Sequence, residues 1–191
     1  MIFYVLRHGE TFKNLEKIIQ GSSLNSNLTV TGINQIKMIS EYFYNIKIDL
    51  ICSSHLIRAI ETASIIASLN DYNHNLYIIP EFCERNYGYL DGTDYLKFRE
   101  VENKKSFEVE SDEALKKRVL YGIEIIKKIK LKDNANIVIS THSQIYKTFA
   151  LLCNSKEHNY YTPIKNGQCI IIEFTKDNKG NNFKLLKEIY V

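Results

Sequence analysis

Short apolar runs and helical stripes take turns along most of the chain. Residues 2–6 are continuously apolar and stop abruptly at Arg7-His8-Gly9-Glu10-Thr11, the pattern of a buried strand with polar chemistry at its C-terminal end. Ile33, Ile36, Ile39 and Phe43 then recur at helical spacing behind Thr31, which is placed to cap that helix. Residues 48–52 predict a second strand, and residues 55–69 a helix with the stripe Leu56, Ala59, Ile60, Ala63, Ile66 and Ala67. Residues 76–79 predict a third strand, broken by Pro80, and residues 82–92 are aromatic and turn-rich without a clear period.

Ser111 is placed to cap a long helix whose inward stripe is Leu115, Val119, Ile123, Ile126 and Ile129, with Lys116, Lys117, Glu124, Lys127 and Lys128 outside. Residues 137–139 predict a strand running into Ser140-Thr141-His142-Ser143, which opens a helix through about residue 152. Residues 169–174 and 183–191 predict the last two strands. This rhythm predicts an α/β fold: a three-layer α/β/α sandwich with a mostly parallel sheet and an antiparallel C-terminal edge. With only 2 prolines and 8 glycines, no stretch reads as a linker, and residues 1–191 are expected to form a single domain. In such sheets ligands bind beyond the carboxyl ends of the strands, where Arg7-His8, residues 53–58 and Thr141-His142 all fall.

Composition narrows the function classes. A net charge of +3 with dispersed lysines gives no support to nucleic-acid binding, although it suits attraction of a small anion. The opening apolar run is too short for a signal-peptide core or a membrane span, so neither secretion nor anchoring is expected. Cys52, Cys83, Cys153 and Cys169 are scattered, with no Cys-x-x-Cys pair. They predict neither a zinc cluster nor a disulfide framework, but reduced thiols in a cytoplasmic protein.

Each polar cluster has a bland reading as well. Arg7-His8-Gly9 alone is a common tripeptide, Arg58 has Glu61 at helical spacing for an ion pair, His142 fits a buried histidine bonded to backbone, and Glu84-Arg85 fits a surface pair. What raises them together is their recurrence in order. Leu6 to Asn14, Gln20-Gly21, Leu28-Thr29 with Gly32 and Gln35, Ser53 to Ala63, Glu84 to Gly92, Glu110-Ser111, Ser140 to His142, and Asn166-Gly167 together resemble the histidine phosphatase (phosphoglycerate-mutase-like) superfamily.

That resemblance implies that His8 accepts the phosphoryl group, that Arg7, Arg58 and His142 clamp its oxygens, and that Glu84 donates and accepts the proton. Asn14, Gln20, Gly21 and Tyr87 would be lesser substrate contacts. The chemistry agrees with those roles. A neutral imidazole is the nucleophile, and two guanidiniums with a histidine N–H can stabilise the charge of the transferring group without a metal. A leaving alkoxide needs a proton, which a protonated carboxyl can give. Two positions depart from the family pattern: Ser143 stands where glycine usually follows the second histidine, and His55 where proline is frequent.

The resemblance further implies a metal-independent phosphatase for a small phosphorylated metabolite, with no cofactor. The segment after the acid-bearing loop and the C-terminal tail are both shorter than in the family's mutases, which favours transfer to water. A phosphoglycerate-mutase-type transfer and the cobalamin-pathway (alpha-ribazole) phosphatase subclass are the alternatives. A phosphate-binding module without catalysis is the reading from another class, and retention of His8, Arg7, Arg58, His142 and Glu84 weighs against it. The sequence does not specify an oligomeric state.

Overall fold

The first strand, β1 (Ile2–Arg7), is covered on both faces: Phe3 and Val5 enter one apolar layer, Tyr4 and Leu6 the other. A continuous apolar run is what such a strand requires, because neither face meets water. The computed structural model describes residues 1–101, 109–177 and 180–190. After β1 come α1 (Phe12–Leu15), α2 (Val30–Ser40), β2 (Leu50–Ser53), α3 (Ile57–Leu69) and β3 (Tyr77–Ile78). Then follow α4 (Tyr95–Val101), α5 (Asp112–Lys128), β4 (Asn136–Thr141), α6 (Ser143–Leu152), β5 (Cys169–Asp177) and β6 (Gly180–Ile189).

The sheet has the order β3-β2-β4-β1-β5-β6. Its first four strands run parallel, and β5 and β6 add an antiparallel edge, as the sequence predicts. On one face α2 and α3 bury Ile36, Ile39, Ala63 and Ile66 against Tyr4, Leu6, Ile51 and Val138. On the other, α5 and α6 bury Leu115, Val119, Ile123, Ile145 and Phe149 against Phe3, Val5, Ile137 and Ile139. The two layers are the two stripes of the sheet's own alternation.

Several boundaries move. Thr29, not Thr31, caps α2: its hydroxyl accepts from Gly32 N at 2.9 Å, while its backbone N–H donates to Glu10 O at 2.9 Å. A tertiary contact thus selects the earlier threonine. The segment carrying Phe43 leaves the α-helix for a 3-10 turn at residues 41–43, keeping that ring buried. The third helix begins at Ile57 instead of residue 55, because Leu56 is still extended and its N–H is held by Ser54 Oγ at 3.2 Å. β3 shrinks to two exposed residues at the sheet's edge. Residue Val191, predicted to end the last strand, lies outside the described residues.

Candidate active site

Two neighbouring parallel strands deliver the histidines. Arg7 of β1 pairs in register with Thr141 of β4, so the residues that follow, His8 and His142, emerge side by side with ring centroids 5.3 Å apart. Both are buried, at 3% and 0% exposure. His8 Nδ1 lies 2.7 Å from Gly9 O, so Nδ1–H donates and the lone pair falls on Nε2. Burial, then Arg58 and Arg7, push His8 well below its ordinary value of 6.5 and keep the ring neutral.

His142 is pushed down in the same direction by burial, Arg58 and His8. Its Nε2 lies 2.7 Å from Ser54 Oγ, which already accepts the Leu56 N–H. When the hydroxyl proton of Ser54 is given to Nε2, the ring proton stands on Nδ1. That nitrogen is buried and has no partner among the described residues. The loop behind His8 is packed backbone to backbone: a Cβ on Gly32 would sit 2.1 Å from Glu10 O, so no larger residue fits at the start of α2.

Two arginines line the same cavity as His8. Arg7 donates to Ile164 O, and Arg58, on the first turn of α3 and 1% exposed, donates to Leu24 O at 2.7 Å and Gly21 O at 2.8 Å. The Nε of each is buried without a partner among the described residues. Burial lowers both guanidiniums, Arg58 to about 10, which leaves it cationic at neutral pH, and Glu84 acts against that fall. The Arg58–Glu61 pair does not form, because Glu61 instead accepts from Asn27 Nδ2 at 2.5 Å and Leu28 N at 2.7 Å. Gly21 has φ +50°, and a Cβ there would meet Asp91 Oδ1 at 1.6 Å.

Glu84 follows a 3-10 turn over Pro80–Phe82 and is 9% exposed. Its Oε1 accepts from Arg85 N at 2.8 Å and Gln144 N at 3.2 Å, which ties the carboxyl to the first turn of α6. Arg85 turns away to pair with Asp112 at 2.6 Å. Asn14 Oδ1 accepts from Thr11 N and Asn166 Nδ2, leaving its own Nδ2 as the group available to donate. Gln20 is tied to Thr11 Oγ1 at 2.8 Å, and Tyr87 stands edge-on to Phe98 at 5.0 Å.

Arg7, His8, Asn14, Gln20, Gly21, Arg58, Glu84 and Tyr87 all line one cavity of about 390 Å³, with the buried His142 ring next to that of His8. Sequence reasoning missed Lys147 on its wall, which is 5% exposed and donates to Tyr160 O at 2.9 Å. Its only sequence signal is its place on the helix that His142 opens. Ser143 lies inside α6 with ordinary helical backbone, and His142 itself is the N-cap, so the glycine-to-serine departure introduces no left-handed strain. Among the described residues, no three His, Cys, Asp or Glu side chains are grouped to hold a metal, and no helix is long and apolar enough to cross a membrane.

The sequence profile of the histidine phosphatase superfamily, branch 1, matches residues 3–188, and the chain belongs to that family. The fructose-2,6-bisphosphatase TIGAR of Xenopus laevis is 34% identical over 90 residues, 46% of this chain and 33% of that protein. The adenosylcobalamin/alpha-ribazole phosphatase of Escherichia coli is 33% identical over 88 residues, 46% of this chain and 42% of that protein. The match therefore spans less than half the length of either relative. A phosphoglycerate mutase from Bacillus anthracis has the same fold, with a TM-score of 0.83 at 20% identity, covering 98% of this chain and 92% of that one.

Proposed function

We propose that the protein hydrolyses small phosphomonoesters through a phosphohistidine on His8, with Glu84 as general acid and base. His8 Nε2 attacks phosphorus as the ester P–O bond breaks, and the Glu84 carboxyl gives its proton to the departing alkoxide. A water then attacks the phosphohistidine, Glu84 takes the water's proton, and the N–P bond breaks to release inorganic phosphate. Arg7, Arg58 and the Nδ1–H of His142 meet the charge on the transferring oxygens, with Asn14 Nδ2 as a further donor. No metal or cofactor enters these steps, and the same reading takes a small phosphorylated metabolite as partner in a cytoplasmic setting.

The observation that carries the proposal is the Nδ1–H bond from His8 to Gly9 O, which leaves the lone pair on Nε2 of a neutral ring that lines one cavity with two guanidiniums. The phosphatase names of the relatives support transfer to water. Brief reaction with labelled substrate is expected to leave acid-labile, alkali-stable phosphate on a peptide containing His8, and H8A to abolish it. Label on serine or cysteine instead would refute the mechanism. Phosphate release from phosphoglycerates, measured against their isomerisation, separates hydrolysis from mutase transfer.

A further inference from the structure

Glu84 lies in the wall between two cavities. One is the His8 cavity, and the other, of about 370 Å³, is lined by Cys83, Asn86, Glu110 and Arg118 on the far side. Arg118, on α5, lines only the second, so it does not face the His8 cavity. Its guanidinium nonetheless holds the backbone on which Glu84 stands. Nη1 donates to Glu81 O at 2.6 Å and Cys83 O at 2.8 Å, and Nη2 to Glu84 O at 3.4 Å.

The fork is itself fixed. Glu110 accepts from Nε and Nη2 at 2.8 Å each, a bidentate pair with side chains only 24% and 14% exposed. Glu110 also receives the Asn86 N–H on Oε2 at 3.2 Å, and its own N–H donates to Asn86 O at 2.8 Å. Thr141 Oγ1 donates to the remaining carbonyl, Phe82 O, at 2.7 Å. Consecutive carbonyls from 81 to 84 are thus all held, three of them by one side chain. One turn on, Gly122 leaves space for the Phe82 ring, since a Cβ there would lie 2.6 Å from it.

We propose that Arg118, held in plane by Glu110, is the positioning residue for the proton transfer by Glu84. The inference rests on Glu84 being the acid of the proposed function. A general acid works only within hydrogen-bond reach of the leaving oxygen, and displacing it by an ångström costs rate while leaving the phosphate clamp intact. Lysine cannot replace this fork, because its single ammonium cannot span three carbonyls and a bidentate carboxylate.

The test is single-turnover transfer to His8 across a series of leaving groups, for R118K, E84Q and R118K/E84Q. R118K is expected to slow alkyl phosphates by roughly 10- to 100-fold and nitrophenyl phosphate by less than about 3-fold, and in the E84Q background to add less than about 2-fold for alkyl esters. E110Q, which keeps the arginine but loosens its fork, is expected to show the same graded loss more weakly and supplies the test if R118K does not fold. An equal loss for every leaving group, or full additivity with E84Q, overturns the positioning role. A flat response of E84Q alone overturns the acid assignment itself, and is recognised because Arg118 is intact in that variant.

Discussion

Ser54 Oγ stands 2.7 Å from His142 Nε2, joining the end of β2 to the end of β4. Replacing Ser54 with Ala leaves a buried ring nitrogen without a partner, which costs about 1–3 kcal/mol. For a chain of this size that is a fall of roughly 2–12 °C in Tm. Transfer to His8 is expected to slow by about 10-fold for all leaving groups alike, since the lost orientation concerns the phosphoryl oxygens. Unchanged Tm and rates within about 2-fold would show that the hydroxyl does not set the tautomer.

The low pKa of the two histidines gives a pH dependence with a definite sign. His8 and His142 are held below 6.5 in the folded protein, so the unfolded chain binds more protons as pH falls. The stability from their neutral forms is fully present above 6.5 and is lost as pH falls from there through the folded values. Each contributes a slope of at most about 1.4 kcal/mol per pH unit in that window. Urea midpoints at pH 7.5 and pH 5.5 are expected to draw closer together in H8Q than in the parent protein. An identical difference in both would mean that His8 does not titrate with unfolding.

Arg58 holds the loop at Gly21 and Leu24 and, in the proposed function, also clamps the phosphoryl group. R58A is expected to cost on the order of 10² to 10³ in rate, and R7A a similar amount, with little dependence on the leaving group. The parent activity is expected to survive exhaustive EDTA treatment. A strict need for Mg²⁺ or Zn²⁺ after chelation would contradict the electrostatic role given to the guanidiniums.

Glu84 is tested by its dependence on substrate. E84Q keeps the size and the acceptor oxygen for the Gln144 N–H while removing the transferable proton. A loss of roughly 10² to 10⁴ is expected for alkyl phosphates and a much smaller one for nitrophenyl phosphate in the phosphorylation step. Single-turnover measurement is required, because slow dephosphorylation hides the contrast in steady state.

The main strands and helices were legible wherever burial leaves a period in the residues. Phe3 to Leu6 alternate between two apolar layers, and Leu115, Val119 and Ile123 form one stripe of α5. Placing the polar clusters at the carboxyl ends of strands put His8 and His142 at one end of the sheet, whereas the pairing of β1 with β4 that sets them side by side left no mark in the residues. What escaped the sequence depends on partners distant along the chain. Thr29 outcompetes Thr31 as cap because Glu10 holds it, and Lys147 is buried because its ammonium reaches a carbonyl at Tyr160. Arg118 looks like one more cation on a basic helix until the carbonyls of residues 81–84 are found against it.

The position of β4 between β2 and β1 has a consequence for synthesis and folding. A nascent chain already contains His8, Arg58 and Glu84 before the strand that must enter between β1 and β2 has been made. Until residues 136–141 arrive, β1 and β2 each present an unpaired edge, and His8 lacks the Thr141 carbonyl that accepts its backbone N–H. Insertion of β4 is therefore a long-range event, slow relative to local helix formation, and it covers the facing edges of β1 and β2 in the same step that brings His142 beside His8. The meeting of the two histidines and the shielding of two strand edges are gained together, once residues 136–141 have been made.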